Sequence, residues 1–139
     1  MTVLVDSNAL LFALLAPDRL SEKAKKLMED RGNHLVWSAA STWEIVIKVR
    51  LGKLQLDGGV TEVLPEQLNR LGMQVLPVEQ SHALRVAGLP DVVWTDTAGI
   101  PRRHADPFDR LLVAQAQVEN LPILSADEQF DRYEVTRMW

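Results

Sequence analysis

Four short apolar runs set the strongest limit on what this chain can fold into. They are TVLV at 2–5, HLVW at 34–37, MQVLPV at 73–78 and LPILS at 121–125. Stretches with helical spacing separate them. Short, uniformly apolar strands alternating with helices are the pattern of a parallel sheet covered on both faces. A parallel pair needs a long crossover, and the intervening helices supply it. The pattern predicts an α/β fold, a three-layer α/β/α sandwich with a mainly parallel sheet of about five strands. YEVTRM near the C-terminus is the fifth candidate strand.

The helices carry their own signals. Ser7 is placed to cap the first, whose Leu10, Leu11, Leu14 and Leu15 share a face, and Pro17 stops it. Ser21 and Gly32 bracket a second helix. Ser38 opens a third, which ends at Gly52. Thr61 to about Leu71 and EQSHALRVAG are further helices, and Asp106-Pro107 begins another with proline in its first turn. LPDVVWTDTAGIPRR, with two prolines, a glycine and mixed charge, reads as a loop. There is no repeat or linker, so residues 1–139 are expected to form one domain.

Composition removes several classes. With no cysteine, disulfides and thiolate zinc sites are excluded, and a reducing, cytoplasmic setting is expected. The N-terminal run lacks a basic leader and contains Asp6, so it reads as neither signal peptide nor membrane span. A net charge of −4 argues against a broad basic face for duplex nucleic acid, but permits a basic rim around an acidic pocket. The histidines His34, His82 and His104 are scattered; His34 is expected at a strand entrance and His82 on a helix surface. There is no H-E-x-x-H, no G-x-S-x-G and no phosphate-binding glycine loop.

What stands out is the placement of carboxylates. Asp6 ends the first strand and Asp127 follows the fourth; Asp106 and Asp109 open a helix. Glu44 lies about two turns into an otherwise apolar helix, where an unpaired carboxylate is costly to bury. Ligands of open parallel sheets bind beyond the carboxyl ends of strands. Each acid also has a plain local explanation. Asp6 could cap the first helix, and Ser41-x-x-Glu44 matches a capping box. Glu44 could pair with Lys48, Asp106 and Asp109 fit N-cap and N3, and Asp127 could cap EQFDRY. Together, those explanations set all the acids at one sheet edge by coincidence. A common cause is a site for Mg²⁺ or Mn²⁺, which prefer oxygen ligands, activate water and steady charge on a phosphodiester.

Four segments, VLVDSNALL, SAASTWEIVIKVRLGKL, HADPFDRLLVAQA and PILSADEQFDRY, occur in an order that resembles the PIN-domain ribonucleases, in particular the VapC-type toxins of prokaryotic toxin–antitoxin pairs. The resemblance covers nearly the whole chain. It implies an acidic pocket that binds Mg²⁺ or Mn²⁺ and cuts single-stranded or loop RNA. Carried over by motif, its acids are Asp6, Glu44, Asp109 and Asp127, with Asp106 facing the same pocket as a ligand or a cap. Ser7 and Ser125, and less directly Asn8, are candidates to orient ligands or water. The resemblance also implies a homodimer and an antitoxin partner, with no membrane role.

One departure is plain. Relatives of this subtype run almost directly from LP to H-x-DPFD, whereas DVVWTDTAGIPRR intervenes here. Arg102, Arg103 and His104 are candidates to contact RNA phosphates, and Trp94 to stack on a base or anchor a surface loop. Lys48, Arg50, Lys53 and Arg110 are candidate rim charges. Two rivals remain at this stage. A haloacid-dehalogenase-type phosphatase also has an aspartate after its first strand, but wants a second two residues on, where this chain has Asn8. A non-catalytic binding module would use its acids only as helix caps.

Overall fold

The computed structural model describes residues 1–139. Five strands form one parallel sheet in the order β3-β2-β1-β6-β7. These are β1 (Thr2–Val5), β2 (His34–Ser38), β3 (Gln74–Leu76), β6 (Ile123–Leu124) and β7 (Arg137–Met138). β4 (Val92–Thr95) and β5 (Pro101–His104) pair separately and antiparallel. The helices are α1 (Ser7–Leu15), α2 (Glu22–Glu29), α3 (Ala39–Arg50), α4 (Val60–Arg70), α5 (Gln80–Val86) and α6 (Pro107–Glu119). Short 3-10 turns cover Pro17–Arg19 and Glu128–Arg132.

The central strands β1, β2 and β6 bury both faces, as their unbroken apolar runs require, while the edge strand β3 leaves Gln74 and Val75 exposed. Val3, Val5, Leu35, Trp37 and Leu124 meet Leu10, Ala24, Leu27, Ile45, Leu64 and Leu68 on one side. Leu4, Val36 and Ile123 meet Leu89, Val92, Leu112, Val113 and Phe130 on the other. Side chains alternate across a strand, so neighbours in sequence enter opposite clusters. Each fully buried aliphatic or aromatic side chain stabilises by roughly 1.5–3 kcal/mol. Trp37 is fully buried, yet its indole N–H finds Thr42 Oγ1 at 2.8 Å. α6 ends where Asn120 turns left-handed, at φ 54°.

The segment expected to be a loop is a β-hairpin. Trp94 pairs with Arg102 and Val93 with Arg103. Asp96 closes its turn, its Oδ1 accepting from the amides of Ala98 and Ile100 at 2.9 Å each. Gly99 supplies the positive φ of 77°. Val92 anchors the hairpin in the second cluster. The prolines and glycine mark the ends and turn of this ribbon, not a break in it. The last strand is shorter than expected, because Tyr133 instead follows a 3-10 turn and packs inward.

His82 is another correction. It is fully buried, not on a helix surface. Its Nδ1 accepts from the Glu79 amide at 3.0 Å and its Nε2 lies 2.8 Å from Glu119 Oε1. Apolar spacing on α5 is too weak to show this; α6 packing decides it. His34 is exposed at the start of β2, as expected. No helix is long and apolar enough to cross a membrane.

Candidate metal and active site

The chain leaves β1 for β2 on one side and later places β6 on the other side of β1. That reversal makes a switch point at the carboxyl ends of β1 and β6, where ligands of such sheets bind. Asp6 stands on one side and Ser125 on the other, and Ser125 Oγ donates to Asp6 Oδ2 at 2.8 Å. Glu44 enters from α3, Asp106 and Asp109 from the start of α6, and Asp127 from beyond β6. Candidate ligand atoms of Glu44, Asp106 and Asp109 lie within 4.8 Å of one another, as do those of His104, Asp109 and Asp127.

The local explanations now separate. Asp106 is the N-cap of α6 and accepts from the Phe108 and Asp109 amides at 2.9 and 3.0 Å. Asp127 caps the last 3-10 turn through the Gln129 amide at 2.9 Å. Asp6 occupies the N-cap position of α1 but makes no capping bond with its side chain. Ser7 does not cap that helix either; its hydroxyl donates to Glu44 Oε1. The capping box at Ser41 and Glu44 does not form, because α3 begins at Ser38, whose Oγ accepts from the Ala40 amide. Glu44 is left buried within α3, with Lys48 Nζ at 3.6 Å. Three acids, Asp6, Glu44 and Asp109, therefore have no capping duty.

Their electrostatics are unfavourable without a cation. Burial, then the charges of Asp109 and Glu44, raise Asp6 to about 7 against the hydrogen bond from Ser125. Burial, then the charges of Asp106, Glu44 and Asp127, raise Asp109 to about 7, with Lys48 opposing. Like charges held together in low dielectric resist ionisation. The donor set is made of hard carboxylate oxygens, part of it exposed, which fits a hard divalent ion that keeps some of its water. It does not fit a thiolate-type zinc site.

Other expected residues scatter. Asn8 is exposed on α1 and takes no part in the cluster's hydrogen bonds. Arg102 and Arg103 are exposed on β5, with Asp96 at 2.8 Å and Asp91 at 3.8 Å. Arg50 and Lys53 are exposed, and Trp94 is half-buried beneath the Arg132 guanidinium at 4.3 Å. His104 is a correction, since it is buried and lies against Asp109 and Tyr133, with no ring nitrogen left for an RNA phosphate. Arg110 likewise engages Pro90 O and Tyr133 with one amino group. Tyr133 is a site neighbour that no local sequence signal singles out. A surface cavity of about 600 Å³ lies elsewhere, at the amino ends of β6 and β7, lined by Arg85, Asn120 and Thr136 among others.

A parallel α/β sandwich with carboxylates clustered at the carboxyl edge of its sheet, beside the switch point, defines a class of protein. The chain belongs to the PIN-domain family, whose model it matches over residues 3–135. It is 34% identical over 97 residues to ribonuclease VapC16 of Mycobacterium tuberculosis, covering 68% of this chain and 68% of that protein. Among solved structures it is similar to VapBC2 from Rickettsia felis bound to a DNA fragment from their promoter. That match has TM-score 0.67 and 14% identity, over 99% of this chain and 98% of that one. It is also similar to VapBC-1 from nontypeable Haemophilus influenzae, with TM-score 0.64 and 18% identity over 99% and 97% of the two chains. FitAcB from Neisseria gonorrhoeae gives 0.59 and 23% over 100% and 97%. At these identities the structural matches establish the fold.

Proposed function

We propose that this protein is a divalent-metal-dependent endoribonuclease and the toxin of a toxin–antitoxin pair, held inactive by a cognate antitoxin. Membership of the PIN-domain family and the likeness to a VapC ribonuclease support the activity. Likeness in fold to VapBC and FitAcB assemblies supports the antitoxin partner. The observation that carries the reading is the convergence of Asp6, Glu44 and Asp109, acids without a capping role, at the switch point.

Bound Mg²⁺ or Mn²⁺ supplies an activated water at neutral pH and positive charge beside the scissile phosphate. Asp6, Glu44, Asp109 and Asp127 are the residues to hold it, with the second oxygen of Asp106 adjoining. Ser125 fixes Asp6 by its hydrogen bond, and Ser7 fixes Glu44. Lys48 offsets the acidic charge from α3. We assign contact with the RNA backbone to Arg102 and Arg103, both exposed on the hairpin; such contacts position a strand without reading its sequence. The working form is a homodimer, acting in the cytoplasm.

The test is cleavage of a labelled RNA pool by the pure protein with Mg²⁺, with Mn²⁺ and with chelator, using Asp6→Asn to control for contaminating nuclease. Discrete metal-dependent cuts that vanish in the variant are expected. Absence of cutting, together with no metal-dependent shift in melting, overturns the reading in favour of a binding module.

A further inference from the structure

Asp109 sits among Asp106, Glu44 and Asp127, all of which repel it. Something must hold its carboxylate in one orientation. Its helix supplies no such bond. The partner comes from the hairpin: His104, the last residue of β5, has Nε2 3.0 Å from Asp109 Oδ2. The other ring nitrogen, Nδ1, lies 2.7 Å from the Tyr133 hydroxyl. That hydroxyl accepts from Arg110 Nη1 at 3.2 Å, and the same Nη1 donates to Pro90 O at 3.0 Å, just before the hairpin.

Chemistry sets the direction of each bond. A guanidinium only donates, so the tyrosine oxygen is the acceptor from Arg110. The single hydroxyl proton is then available to Nδ1. A neutral imidazole accepting at Nδ1 carries its proton on Nε2. That proton points at the Asp109 carboxylate. With Asp109 ionised, as a metal ligand must be, the opposite tautomer would set an Nε2 lone pair against a carboxylate oxygen, which is repulsive. We infer that Arg110, Tyr133 and His104 form a one-way chain of hydrogen-bond donors that orients Asp109, so that His104 and Tyr133 are positioning residues of the acidic site.

This inference rests on the proposed metal-dependent reading of that site and adds the support behind one of its acids. His104 Nε2, spent on Asp109, is not free to ligate a cation, although it lies within 4.8 Å of Asp109 and Asp127 ligand atoms. The other oxygen of Asp109 accepts no hydrogen bond from the protein. Val92, which pairs with His104 across the hairpin, is buried in the core and anchors the histidine's strand.

The test uses the intact protein and three variants, His104→Ala, His104→Gln and Tyr133→Phe, with Mn²⁺ as the probe in calorimetric titration. The kcat and KM on one RNA oligonucleotide that the unmodified protein cuts are measured alongside. Outer partners of metal ligands are typically worth about 10–100-fold in metal affinity or activity. His104→Ala is expected to weaken Mn²⁺ binding and lower kcat within that range while KM holds. Tyr133→Phe should shift both the same way by less. His104→Gln keeps an N–H donor where Nε2 stood and should restore most of both.

Unchanged Mn²⁺ affinity in both Tyr133→Phe and His104→Ala would overturn the inference and leave the chain as core packing. A deficient His104→Gln beside a normal Tyr133→Phe would also overturn it, since histidine would then be a ligand itself. Should His104→Ala fail to fold, the other two variants decide. If the unmodified protein binds Mn²⁺ but cuts no RNA, the ribonuclease reading fails, and the Mn²⁺ affinities alone still decide the role of His104.

Discussion

Asp6 and Asp109 each carry a folded-state pKa of about 7 against 3.8 for a free aspartate, with burial the largest cause in both. The metal-free folded protein therefore binds more protons than the unfolded chain between those values. The sign follows from linkage: the contribution is fully present below about 4 and is lost as pH rises through about 7. For Asp6, nearly wholly buried, the loss is on the order of a few kcal/mol. Asp6→Asn removes the charge and should raise the melting temperature of chelator-treated protein at pH 8, the gain shrinking toward pH 4. Calorimetric melts across that range check it. A variant that melts lower than the unmodified protein at pH 8 would mean that the Asp6 charge stabilises the fold. Acidity also competes with metal, so divalent affinity should fall as pH drops through 7. The need for an acid at each position was readable, since each stands at a strand end or early in a helix. The caps at Asp106 and Asp127 were readable too, whereas the capping box offered by Ser41 and Glu44 does not form, because Ser38 already starts α3.

Helix α6 begins at an acid with two potential jobs. Asp106 caps it, and its carboxylate also adjoins Glu44 and Asp109. Loss of such a cap typically costs about 1 kcal/mol. Asp106→Ala should lower the melting temperature, while Asp106→Asn, which can still accept both amides, should not. Cleavage by Asp106→Asn should drop about 10-fold, as expected for a residue that tunes a site. Full activity in that variant would leave Asp106 as a cap alone. Proline at 107 and an acid before it made this helix start legible, since both signals are local. The β4–β5 hairpin was not legible as a ribbon. Its turn depends on Asp96 reaching Ala98 and Ile100 and on the left-handed Gly99, and its seat depends on Val92 entering a distant core.

Across the whole molecule, the proposed metal site would be thermodynamically linked to folding of sheet and helices. A ligand that binds only the folded state stabilises it by about 2.7 kcal/mol at one hundred times its dissociation constant. Mn²⁺ should raise the melting temperature of the unmodified protein near pH 7.5 and do so far less for Asp109→Asn; scanning calorimetry over a Mn²⁺ titration would show it. An equal rise in both would place the ion elsewhere. By itself the sequence determined the α/β class, the parallel sheet and the family, because strand burial and helix signals are short-range and written in consecutive residues. It also brought acids to strand ends and helix starts. Only the tertiary structure decided how they meet. Ser125 reaches Asp6 across 119 positions, Ser7 reaches Glu44 across 37, and Tyr133 reaches His104 across 29. Such contacts depend on strand order and on helices closing over the sheet, and no local pattern in the chain encodes them.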